Sequence, residues 1–290
     1  VIETMNGTGR IYFQINISLF EGGLPNMSAH EIDYVIMGEE IQCVEVQLDP
    51  GESVIAEAGS FMMMDPEITM ETIFGDGSGA SRGNGLMGKL MGAGKRLLTG
   101  ESLFMTVFTH SGSYGRRSVT FAAPYPGKII PLDLQQYNGK IICQKDAFLC
   151  AAKGVSIGIE FQRKLGAGFF GGEGFIMQKL EGDGLSFVHS GGYVMERTLQ
   201  PGETIKLDTG CLVAMTSSVD YNIEMVKGIK TAVFGGEGLF FATLRGPGKV
   251  WVQSLPFSRM ADRILSAAGN SGRKEEGSIL GGLGNLLDGR

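Results

Sequence analysis

Histidine, cysteine and positive charge are all scarce in this 290-residue chain, and each shortage removes a class of function. Its 3 histidines, His30, His110 and His189, show neither H-x-H nor H-E-x-x-H spacing, so a histidine-built metal site is missing. The 4 cysteines, Cys43, Cys143, Cys150 and Cys211, form no C-x-x-C pair and have no histidine at zinc spacing. They read as free thiols packed as small hydrophobes in a reducing compartment, which makes the expected location cytoplasmic. A net charge of −6 argues against a surface that attracts nucleic acid as a whole, because neutralising phosphates needs clustered Lys and Arg. No run approaches 18 uninterrupted apolar residues, so no transmembrane helix is expected.

What the chain has in excess is glycine, 46 residues, or about twice the usual share of roughly 7%. There is no Gly-X-Y period, so the excess points to many tight turns between many short strands. The stretch LMGKLMGAGKRLLTGESLF (86 to 104) looks at first like a phosphate-binding loop. Counting back from Gly94-Lys95, however, the required first glycine falls on Lys89, and Arg96 stands where a hydroxyl donor is needed. A nucleophile elbow G-x-S-x-G fails as well, since Asp76 occupies the first glycine position before Ser78. Neither nucleotide hydrolysis nor acyl transfer has its signature here.

The chain does repeat itself. Sliding IICQKDAFLCAAKGVSIGIEF (141 to 161) by 64 residues lays it on IKLDTGCLVAMTSSVDYNIEM (205 to 225), and the same slide lays FGGEGFIMQKLEGDGLSFVHS (170 to 190) on FGGEGLFFATLRGPGKVWVQS (234 to 254). A further copy lies upstream: LDPGESVIAEAGSFMMM (48 to 64) parallels LQPGETIKLDTGCLVAM (199 to 215), with Pro50-Gly51-Glu52 against Pro201-Gly202-Glu203. Its second half, TGESLFMTVFTHSG (99 to 112), parallels the GGEG segments through Glu101, and the glycine-rich stretch between the halves is an insertion. SVIAEAG, SFMMM, TIKL, CLVAM, YNIEM, LFFATL and KVWVQS are strand-like runs broken by PG, GDG and GPG turns. Pro-Gly before a strand fits a type II turn.

These observations predict an all-β chain of three tandem related β-sandwich units in a pseudo-threefold arrangement, each covering a neighbour's edge strands. The first unit spans 27 to 123 with its glycine-rich insertion near 75 to 99; the second spans 124 to 198 and the third 199 to 256. Short helices are expected only in the insertion and at the C-terminal end, where RMADRILSAAG begins a helix and flexible tail over 257 to 290. Residues 1 to 26 lack an initiating methionine and differ in style from the rest of the chain, so they are read as a vector-derived or misassigned leader and set aside.

The runs EIDYVIMGEEIQCVEVQLDPGESVIAEAGSFMMMD (31 to 65), LTGESLFMTVF, PGKIIPLDL, QKDAFLCAAKGV and GGEGFIMQKLEGDG resemble the bacterial family related to altered-inheritance-of-mitochondria protein 24, over roughly Glu31 to Phe257. The resemblance implies a fold similar to the trp RNA-binding attenuation protein, with small sandwich units akin to a double-stranded β-helix. It supplies no reaction and no cofactor, and it links eukaryotic members only broadly to mitochondrial organisation. The attenuation protein binds RNA through basic residues repeated around a ring. In this chain Lys206 pairs with Ile142 and Ile55, and Lys249 with Leu185, so no basic motif repeats.

Two candidate sites remain. Glu101, Glu173 and Glu237 occupy one place in each unit, where a threefold arrangement would gather them to bind a cation or basic peptide; the simpler role is a carboxylate accepting N–H groups of its own turn. In the insertion, Leu86, Met87, Leu90 and Met91 lie beside Lys89, Lys95 and Arg96, a pattern suited to a protein partner, a sheet edge or an anionic membrane. His110-Ser111-Gly112 and His189-Ser190-Gly191 look alike, but adjacent His and Ser point to opposite faces of a strand, so turn or strand-end roles are expected. The expected function is therefore a non-enzymatic, self-associating β-scaffold that presents loops to a protein partner. An RNA or small-ligand binder of attenuation-protein type and a peripheral membrane organiser are the alternatives.

Overall fold

Period-two alternation builds the strands. Along Cys43–Leu48 the residues are alternately half-buried and buried, so Val44, Val46 and Leu48 face the core while Glu45 and Gln47 face outward. The computed structural model describes residues 2–5, 11–14, 29–57, 59–74, 104–163, 175–225 and 240–271. Over these residues the chain is predominantly β-strand, with one α-helix near its C-terminal end.

A separate antiparallel ribbon, β1 (Ile2–Met5) and β2 (Ile11–Gln14), precedes the main body, and β3 (Asp33–Met37) pairs with the strand after it. The main body is three successive blocks of six strands. The first holds β4 (Cys43–Leu48), β5 (Ser53–Glu57), β6 (Phe61–Met64), β7 (Ile68–Phe74), β8 (Phe104–His110) and β9 (Arg117–Ala122). The second holds β10 (Gly127–Asp133), β11 (Lys140–Gln144), β12 (Phe148–Ala152), β13 (Ser156–Arg163), β14 (Phe175–Glu181) and β15 (Leu185–Gly191). The third holds β16 (Val194–Leu199), β17 (Thr204–Asp208), β18 (Leu212–Thr216), β19 (Asp220–Met225), β20 (Phe240–Arg245) and β21 (Gly248–Gln253).

Within every block the first strand pairs with the sixth and the sixth with the third, while the second pairs with the fifth and the fifth with the fourth, all antiparallel. The third strand carries a register shift at the same place each time, at Phe61/Met63, Phe148/Cys150 and Leu212/Ala214. Two further pairings fuse neighbouring blocks: β12 adds to β5, and β18 adds to β11. The resulting sheets run β3-β4-β9-β6, β10-β15-β12-β5-β8-β7, β13-β14-β11-β18-β21-β16 and β17-β20-β19.

The Pro-Gly turns take the type II form expected of them. Gly51 (φ 87°) and Gly202 (φ 81°) occupy the left-handed region, and the N–H of Glu52 and of Glu203 donates to the carbonyl of Asp49 and of Gln200, each at 2.9 Å. The two glutamates then turn back as caps, with Glu52 accepting from the Asp49 N–H at 2.7 Å and Glu203 from the Gln200 N–H at 2.9 Å.

Side chains from all three blocks fill the interior. One cluster runs from Val44, Ile55 and Phe121 through Leu149 and Phe187 to Val213 and Trp251; a second lies under the third block around Met177, Leu212, Ile223 and Leu244. Trp251 is buried edge-on against Tyr137 at 5.5 Å, and its indole N–H donates to Glu196 Oε2 at 2.9 Å, which satisfies its one polar atom. The C-terminal helix α1 (Phe257–Ser271) begins against the second block, with the Phe257 ring 5.3 Å from Tyr125, and Arg259 bridges to Asp208 at 3.1 Å. Its Ile264 and Leu265 are exposed. Among the described residues no helix is long and apolar enough to cross a membrane.

Candidate functional site

Both sets of residues singled out in the sequence lie outside the described residues: Glu101, Glu173 and Glu237, and Leu86, Met87, Lys89, Leu90, Met91, Lys95 and Arg96. Their attachment points are described. The segments that hold them join the fourth strand of a block to the fifth, and those strands pair to their last residues: Phe74 with Phe104, Arg163 with Phe175, and Met225 with Phe240. The three segments thus leave and re-enter the body at one topological position, with buried Phe175 and Phe240 rooting the second and third.

The histidine look-alikes part company. His110 ends β8, a fifth strand, whereas His189 lies inside β15, a sixth strand, so the two H-S-G runs occupy different places in their blocks. His110 is buried with Nδ1 3.1 Å from the Leu48 carbonyl oxygen. His189 is buried against the edge of Tyr125, with ring centroids 4.4 Å apart. Burial holds its pKa down to about 4, opposed by the Tyr125 backbone, so the imidazole is neutral at physiological pH. His30 accepts from the Ser53 N–H at 2.8 Å, and burial, then the Lys153 charge, lowers its pKa. All three serve the packing of strands.

Glu57, at the end of β5, gave no signal in the sequence, where it sits in an ordinary strand run. Burial, then the charge of Asp146, raises its carboxyl pKa to about 7, with Lys145 opposing. Burial and Glu57 together push the buried Cys143 thiol up to about 12, and burial holds Cys150 well above its usual range. Neither cysteine is an available nucleophile at neutral pH. All 4 cysteines are unbridged thiols, and no group of three or more His, Cys, Asp or Glu among the described residues is placed to hold a metal.

The most unusual surface is β6. Phe61, Met62, Met63 and Met64 are 42%, 54%, 51% and 39% exposed. One edge of β6 pairs with β9, and no strand pairs with its other edge among the described residues. An apolar strand with a free edge is a template for another strand. The sequence shows SFMMM as a strand but not its exposure, because an apolar strand reads the same on an edge as in a core.

A family model described as mitochondrial biogenesis AIM24 matches residues 34–255, the whole of the three blocks. The chain belongs to this family. An uncharacterized protein of Streptococcus pyogenes serotype M6 is 32% identical over 225 residues, covering 76% of this chain and 84% of its own length. The crystal structure of a Streptococcus pyogenes protein superposes with a TM-score of 0.63 at 27% identity, covering 82% of this chain and all of that one. The AIM24 match begins inside β3 and ends two residues past β21, so it takes in the six-strand blocks and leaves out the β1–β2 ribbon and α1.

Proposed function

We propose that this AIM24-family protein is a non-enzymatic β-scaffold made of three related units, each a small sandwich of the double-stranded β-helix type akin to the trp RNA-binding attenuation protein. It self-associates and presents the segments between fourth and fifth strands to a protein partner. The observation that carries this reading is the recurrence of one pairing order, one register shift and one loop position in three successive blocks. In this reading the loop segments that carry Glu101, Glu173 and Glu237, which leave every block at one topological position, together offer one composite surface. The units are drawn from β4 to β9, β10 to β15 and β16 to β21.

The first unit's insertion gives one of the three segments a composition the others lack, with Leu and Met interleaved with Lys89, Lys95 and Arg96. It is the segment best suited to select a partner, because methionine side chains adapt to varied contacts while the cations orient the approach. The test is affinity capture from cell extract with the full chain and with a variant lacking residues 76–98. Loss of one dominant captured protein from the shortened variant is expected. Identical capture by both would contradict the loop-presentation part of the proposal.

A further inference from the structure

The two junctions between blocks use one register. At the first, β12 meets β5 with Cys150 opposite Ala56, Ala151 opposite Ile55 and Ala152 opposite Val54. At the second, β18 meets β11 with Ala214 opposite Cys143, Met215 opposite Ile142 and Thr216 opposite Ile141. The repeat offset of 64 carries Cys150 onto Ala214, and the offset of 87 from first block to second carries Ala56 onto Cys143, so the junctions superpose residue for residue. In both, the third strand of one block adds to the second strand of the block before it.

Among the described residues the same rule leaves one third strand and one second strand with no strand on the junction edge: β6 of the first block, paired only to β9, and β17 of the third, paired only to β20. Their burial shows the consequence. Phe148, Leu149, Cys150 and Ala151 of β12, and Leu212, Val213, Ala214 and Met215 of β18, are all buried, whereas Phe61, Met62, Met63 and Met64 at the matching positions of β6 are all exposed. On the other side of the junction Val54, Ile55 and Ala56 and then Ile141, Ile142 and Cys143 are buried, while Ile205 and Leu207 of β17 are only half-buried and Lys206 is exposed. Each chain therefore ends in two complementary halves of a junction it already builds twice.

We propose that β17 of one copy of this chain adds antiparallel to β6 of a second copy, with Met63 opposite Leu207, Met64 opposite Lys206 and Asp65 opposite Ile205. This rests on the reading of the three blocks as related units, and it assigns the self-association to a definite pair of strands. The contact is heterologous, joining different surfaces of the two copies, so repeating it closes copies into a ring when the rotation allows. It unites the four-stranded sheet ending in β6 with the three-stranded sheet ending in β17, as the internal junctions unite their sheets. Lys206 is the one residue at odds with its counterparts Ile55 and Ile142. Its methylene stem covers Met64 while the ammonium stays in water, and in the unassembled chain the charge protects an open edge.

The experiment mixes two variants of the full chain, Met63→Cys and Leu207→Cys, and treats the mixture with a short bis-maleimide, with the unsubstituted chain as control for its own half-buried thiols. A covalent dimer containing one copy of each variant is expected. Native mass spectrometry on the uncrosslinked chain is expected to show multiples of the monomer mass. Met63→Lys should weaken that assembly by about tenfold or more, and Lys206→Ile should strengthen it. A monomer by native mass spectrometry would overturn both this seam and self-association. An assembly that gives no mixed dimer would overturn the seam alone, as would a double variant that crosslinks only within one chain, which would mean that β6 and β17 close on each other.

Discussion

Glu57 and His189 hold their protons in opposite ways, and stability should depend on pH accordingly. The folded chain keeps a proton on Glu57 up to about pH 7, while an unfolded glutamate loses it near 4.5, so this group's contribution falls as pH rises from about 4.5 to 7. His189 is the reverse: the unfolded imidazole takes a proton below about 6.5 and the folded one resists until about pH 4, so its contribution falls as pH drops through that window. The two largely offset each other between pH 4.5 and 6.5, each amounting to at most ~3.5 kcal/mol at ~1.4 kcal/mol per pH unit. Denaturant melts across pH 4 to 8 separate them. Relative to the parent, Glu57→Gln should gain stability as pH rises toward 7, and His189→Gln, which installs the residue found at the matching Gln253, should gain as pH falls toward 4. Parallel profiles for parent and variants would contradict the burial of these two groups. None of this was legible in the sequence, because burial of a single carboxylate depends on which strands fuse around it.

At the scale of elements the turns and strands were plain to read. Pro50-Gly51 and Pro201-Gly202 demanded left-handed glycines, and the structure places them there. Nothing lies within 4 Å of a Cβ built on Gly202, so a substitution there tests backbone strain alone. Gly202→Ala should lose roughly 1–2 kcal/mol by chemical denaturation, from the cost of a Cβ at positive φ. A neutral result would mean that the turn relaxes freely. The runs CLVAM, YNIEM and KVWVQS became β18, β19 and β21 because β-branched and aromatic residues bounded by turn residues specify short strands by local chemistry. RMADRILSAAG likewise falls within α1. What local chemistry could not specify was pairing between blocks. The junctions β12 with β5 and β18 with β11 arise from apolar edges seeking each other across long sequence separations, and SFMMM gave no hint that its own outer edge has no paired strand among the described residues. The two H-S-G runs do end strands, β8 and β15, but a tripeptide does not reveal which strand of a block it ends.

For the molecule as a whole, the recurrence of one six-strand pairing order, which we propose reflects one unit used three times, accounts for loop segments leaving at one topological position and for the uncovered junction edges of β6 and β17 among the described residues. Fusing sheets between blocks covers edges that would otherwise be templates for uncontrolled pairing, and among the described residues β6 is the one third strand and β17 the one second strand that no such fusion covers. The AIM24 family model matches the residues that hold these blocks and does not reach the β1–β2 ribbon or α1. An experimental structure of the assembled protein, with its three blocks superposed on one another, is the most direct measurement. The expected result is a common six-strand pairing order in all three and a sheet that continues from β6 into a neighbouring copy's β17; blocks with unrelated pairing orders would contradict the account.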